Sequence, residues 1–98
     1  MEKYLVEIRY IEPNARQWND ESSIEVFVLA EDENSAIRWG DTIGYKYVND
    51  LYINANKEKE FPGAYLGCWI NDFSSWEQEW IDNTQVVKYG DYVNTEEI

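Results

Sequence analysis

The sequence predicts an α+β fold: a single antiparallel sheet of about four strands with one long helix packed on one face, in the order β-β-α-β-(short α or β)-β. Three observations predict it. Apolar and polar residues alternate with period two over residues 4–11 and 24–30. Small and apolar residues recur at spacings of three and four between Glu33 and Tyr52. Residues 64–70 form an apolar run preceded by turn residues. One acidic domain is expected over residues 1–93, followed by a frayed tail over 94–98.

In the first strand Tyr4, Val6, Ile8 and Tyr10 share one face, and Leu5, Glu7, Arg9 and Ile11 the other. Glu12-Pro13-Asn14 breaks it, and the polar stretch to Ser23 reads as a long loop carrying one large apolar residue, Trp18. The second strand puts Ile24, Val26 and Val28 on the core side and Glu25, Phe27 and Leu29 on the other, and a hairpin pairing the two strands is the simplest topology. Asp32 then caps a helix, with Glu33 at the positive end of its dipole. Ala36, Gly40, Ile43, Tyr47 and Leu51 make the stripe that faces the sheet. Gly40 and Gly44 each weaken such a helix by about 1 kcal/mol relative to Ala, a cost that close approach of helix to sheet would explain.

Past a charged loop and the turn Phe61-Pro62-Gly63, Ala64–Ile70 is apolar throughout and reads as a central strand, Gly67 marking a bulge or a close backbone contact. Ser74-Ser75-Trp76-Glu77 fits a capping box that opens a short helix with Trp76 and Trp80 on one face. Trp76, Gln78 and Trp80 alternate equally well, so a strand to Ile81 competes with that helix. Gln85–Tyr89 is the last strand.

Composition narrows the function classes. Five Trp, eight Tyr and three Phe bring enough apolar area for a folded core in 98 residues. Twenty Asp and Glu against eight Lys and Arg give a net charge of −12. That charge disfavours direct binding to nucleic acid or to an anionic membrane, both of which reward clustered cations, and it favours a basic protein partner. The same charge also keeps a small chain soluble without any further role. The single Cys68 cannot form an internal disulfide and sits in an apolar run, as a buried, inert thiol does. With no apolar leader and no stretch of membrane-spanning length, the expected location is cytoplasmic.

Most catalytic chemistry finds no support. The chain has no His, which removes the commonest general base and transition-metal ligand, and its five glycines form no phosphate-binding motif. No catalytic residue, cofactor or metal is assigned. Glu77, Glu79 and Asp82 form the densest carboxylate group, but a chain this acidic produces such spacings on any solvated face.

The stretch with most functional content interleaves acids with large aromatics from Trp69 to Asp82. Tryptophans anchor interfaces, and a negative rim speeds encounter with a positive partner. The expected binding residues are Trp18, Trp76, Glu77, Glu79, Trp80 and Asp82, set against the plainer reading that Trp69, Trp76 and Trp80 fill a thin core. Gly63-Ala64-Tyr65-Leu66-Gly67-Cys68-Trp69-Ile70 resembles a short segment of plasmid antirestriction DNA mimics through its Gly, Trp and Ile spacing, while the rest of the chain does not follow that family. Two readings of different class result. One is a non-enzymatic binder of a basic protein, of the immunity, inhibitor or DNA-mimic type. The other is a small-ligand or carbohydrate module, which needs an exposed coplanar pair of aromatics. A homodimer or a subunit of a larger assembly, burying the surplus aromatics, is the third.

Overall fold

The computed structural model describes residues 1–13, 21–54 and 61–98. Its centre is the expected hairpin. Strand β1 (Glu2–Ile11) pairs antiparallel with β2 (Glu21–Ala30) in unbroken register, from Glu2 opposite Ala30 to Ile11 opposite Glu21. The even-numbered side chains of both strands point to one face, where Val6, Ile8, Val26 and Val28 are fully buried under the helix.

Helix α1 (Glu33–Asn54) begins where the sequence places its cap, with the Ser35 amide donating to Asp32 Oδ1 at 2.8 Å. That hydrogen bond holds the Asp32 carboxyl below its ordinary pKa. The buried helical residues are Ala36, Gly40, Ile43, Gly44 and Val48. The stripe therefore runs along the i, i+4 row through Gly40, Gly44 and Val48, and the expected Tyr47 and Leu51 sit half-buried at its margin. Tyr47 instead meets Tyr10 edge-to-face, with ring centroids 5.2 Å apart. The two glycines do bring the helix close. A Cβ on Gly40 would come within 2.8 Å of both Cys68 Sγ and Val6 Cγ1, and one on Gly44 would strike the Tyr65 ring.

Strand β3 (Ala64–Asn71) pairs antiparallel with β1, and the sheet order is β3-β1-β2-β4. The apolar run is thus an edge strand, which corrects the expected central position. Its apolarity has two sources. Tyr65, Cys68 and Ile70 pack against the core under α1, while Leu66 and Trp69 remain substantially exposed. The register shifts opposite Arg9 and Tyr10, and Gly67 stands there with φ +153°, the bulge its position suggested.

The ambiguous tryptophan segment resolves as a helix, α2 (Gln78–Asn83). The capping box does not form. Ser74 turns back, its amide and hydroxyl both donating to Asp72, and Glu77 caps the helix through its extended backbone with no side-chain hydrogen bond. Strand β4 (Val86–Lys88) then pairs with β2 in parallel, so the sheet is mixed rather than wholly antiparallel. The connection accounts for this. β3 ends at Asn71 beside Leu5, in the same row as Phe27, and β4 starts at Val86 beside Phe27. The chain crosses the sheet at that level and continues in the direction β3 already had, which is also the direction of β2.

In crossing, the segment covers part of the second face. Phe27 is fully buried there against Phe73, at 4.9 Å between ring centroids, and against Trp76, at 6.0 Å. Leu5 is buried on the same face. The end of the chain, expected to fray, docks instead: Thr95–Glu97 form a 3₁₀ turn, Val93 is buried, and Ile98 packs against the core. Thr95 Oγ1 donates to Asp50 Oδ2 at 2.6 Å, and Lys46 pairs with the same oxygen at 2.9 Å. The polar composition of residues 94–97 hides the apolar anchors that flank them, Val93 and Ile98. Among the described residues, no helix is long and apolar enough to cross a membrane.

Candidate functional site

From Lys3 onward, the charged side chains of the hairpin lie on the sheet face opposite α1. Along one row, the register sets Trp69 of β3, Glu7 of β1 and Glu25 of β2 side by side. Strand alternation puts Arg9 on the same face, two residues from Glu7. Its Nε donates to Glu7 Oε2 at 3.0 Å, its Nη1 lies 3.6 Å from Glu21 Oε2, and its guanidinium sits 4.8 Å from the Trp69 ring centroid. Asn71 Nδ2 donates to Glu7 Oε1 at 3.4 Å. Glu7 is therefore held by a cation and an amide beneath an exposed indole.

Glu25 is placed differently. It faces Glu7 directly across the hairpin, an arrangement that like charges disfavour. Partial desolvation raises its pKa, and the Glu7 carboxylate adds to the rise. Among the described residues no Lys or Arg pairs with it. It opens instead into a groove of about 450 Å³ lined by Glu25, Trp76, Trp80, Asn83 and Thr84. The two indoles stand at 88° to one another with centroids 6.1 Å apart. Trp76 is wedged on Phe27, which fixes it, whereas Trp80 is 59% exposed. Thr84 Oγ1 donates to the Trp80 carbonyl at 2.7 Å and closes the end of α2.

Of the residues expected to bind, Trp76 and Trp80 come together as the walls of this groove, and Glu77, Glu79 and Asp82 are exposed around the same short helix. Gln78 Nε2 donates to Asp82 Oδ1 at 2.8 Å, which orients that carboxylate. Trp18 lies outside the described residues. Glu25 is not among the expected residues, because within its strand it reads as an ordinary solvent-facing position. The register of the hairpin is the signal that finds it, since pairing Ile24 with Ile8 sets Glu25 against Glu7.

The other chemically interesting cluster is structural. Cys68 Sγ lies 3.4 Å from the Ile37 carbonyl and 3.5 Å from Asp41 Oδ1, and Tyr65 donates its hydroxyl to the same Asp41 oxygen. Burial pushes the Cys68 thiol up to about 11 and raises the Tyr65 hydroxyl as well, so neither is an activated nucleophile at neutral pH. Among the described residues, no three His, Cys, Asp or Glu side chains cluster in a way that could hold a metal ion. No family model, curated protein or solved structure matches the chain, and the chemistry of the acidic, tryptophan-lined face is what speaks to function.

Proposed function

We propose that this chain is a non-enzymatic binding protein whose acidic, aromatic-rich face engages a basic protein partner, in the manner of an immunity protein, an inhibitor or a mimic of DNA charge. One observation carries the reading: a fixed indole and an exposed indole wall a groove that opens beside Glu25, a carboxylate with no cation of its own among the described residues, while the short helix that supplies Trp80 also exposes Glu79 and Asp82, with Glu77 at its cap. Exposed tryptophans supply contact area, and the rim of carboxylates steers a positive surface into place. The perpendicular rings speak against a carbohydrate platform, which needs coplanar faces. The chain's one thiol, unpaired and half-buried, accords with a reducing compartment such as the cytoplasm.

The test is capture of binding proteins from a lysate of the source cell by the immobilised protein, at low and at high salt, beside the triple variant E77Q/E79Q/D82N. A basic protein recovered at low salt, lost at high salt and diminished on the variant is the expected result. Recovery that is indifferent to both salt and the substitutions would refute the electrostatic reading.

A further inference from the structure

We propose that the groove between β2 and α2 takes an arginine side chain of the basic partner, its guanidinium stacked on Trp80 and paired with Glu25. This deepens the reading above and rests on it for the source of the arginine.

The argument comes from the neighbouring position on the same face. There the protein assembles an indole, a carboxylate and a guanidinium from its own residues: Arg9 lies 4.8 Å from the Trp69 ring centroid and donates to Glu7 at 3.0 Å. Trp69, Glu7 and Glu25 share one row, so the second set begins where the first ends. It has the carboxylate in Glu25 and an exposed indole in Trp80, with Trp76 behind it as a perpendicular wall. Among the described residues neither Lys nor Arg completes it. On this face of the hairpin Glu7, Glu21 and Glu25 meet two cations among the described residues, Arg9, which is taken by Glu7 and Glu21, and Lys3, which lies over the Phe27 ring at 5.1 Å. A guanidinium suits the site better than an ammonium, because a planar cation stacks on an indole while its edge donates to a carboxylate. The groove, about 450 Å³ and open to solvent on its outer side, leaves room for an arginine head with its aliphatic stem entering from outside.

The experiment follows the indole N–H resonances of Trp76 and Trp80 by NMR while N-acetyl-arginine amide is added at low salt. N-acetyl-citrulline amide and N-acetyl-lysine amide serve as controls. Saturable shifts of both indoles by the arginine compound, absent with citrulline and weaker with lysine, are expected. E25Q should weaken that binding at least about fivefold, and W80A should abolish the response at Trp76. Both substitutions are at exposed positions, and an amide NMR spectrum as well dispersed as the parent's verifies the fold. No shift, an equal response to citrulline or to lysine, or indifference to E25Q overturns the proposal. The two readings fail separately. A basic protein captured equally well by E25Q and W80A, but poorly by the triple variant, overturns the arginine site alone. Arginine binding without any basic protein in the lysate capture supports the site and overturns the functional reading.

Discussion

Gly44→Ala is the sharpest test of how the helix meets the sheet. In an isolated helix the substitution is favourable, worth about 1 kcal/mol. Here the added methyl would lie 2.6 Å from Tyr65 Cδ1 and 2.9 Å from Cζ, closer than real carbon contacts permit. The ring is held on two sides, by its hydroxyl donating to Asp41 Oδ1 at 2.5 Å and by the edge-to-face contact with Tyr45 at 4.6 Å. Forcing it aside costs about 1–3 kcal/mol of strain, and losing a hydrogen bond to a carboxylate costs about 1.5–3 kcal/mol. Net of the propensity gain, a loss of about 1.5–5 kcal/mol is expected, which lowers a urea midpoint by roughly 1–3 M in a domain of this size. The control is the same substitution in a Y65A background. With the ring gone, G44A should stabilise the protein by about 1 kcal/mol, reversing the sign. Urea unfolding followed by tryptophan fluorescence reads all four proteins. A G44A protein more stable than its parent would refute the close-packing argument.

Other expectations concern titration and the chain end. The raised pKa of Glu25 means that the folded state takes up this proton first as pH falls, so its charge is a liability above the ordinary value of 4.5. E25Q should therefore unfold at higher urea than the parent at pH 7, and the difference should vanish well below pH 4.5; an unchanged midpoint at pH 7 contradicts the Glu7–Glu25 repulsion. Asp50 behaves oppositely. Its pKa is lowered first by Thr95 and then by Lys46, so its contribution is present above the ordinary 3.8 and fades as pH falls through the lowered folded value. T95V should cost about 1–2 kcal/mol at neutral pH, less as the pH drops below that range, and a silent substitution would mean that the tail is loose after all. Cys68, with its thiol pushed up from 9.0 to about 11, should react with a disulfide reagent at pH 8 roughly a hundredfold more slowly when folded than in urea; equal rates would show the thiol open to solvent.

What could be read in the sequence was local. Alternation fixes the hairpin strands because a one-residue slip would turn Val6 and Val26 to the wrong face, and Asp32 announces the helix start through a hydrogen bond spanning three residues. Sheet order is a different matter. The run Ala64–Ile70 looks central because apolar density reports how much of a strand is covered, and α1 covers the inner side of this edge strand. The direction of β4 depends on the path of residues 72–85 over Phe27, which no period in the sequence encodes. Ser74 misled because Asp72, two residues earlier, competes for it more closely than the helix amide does. For the site, interleaved acids and indoles singled out Trp76 and Trp80, since that density is visible in the chain itself. Glu25 lies about fifty residues away from them and joins the groove only through the tertiary fold.

The parallel pairing of β2 with β4 also bears on how this chain comes to be folded. Phe27 donates its amide to the carbonyl of Gln85, a partner roughly sixty residues later. A chain emerging from the ribosome can zip the first hairpin and wind α1 long before residues 85–88 are made, leaving the outer edge of β2 bare and the ring of Phe27 without Phe73 and Trp76. Closing so long a loop is slow compared with forming a hairpin. The nascent domain thus passes through an interval with an unpaired strand edge and an uncovered aromatic, the kind of surface on which chains aggregate, and a net charge of −12 makes neighbouring copies repel one another during it.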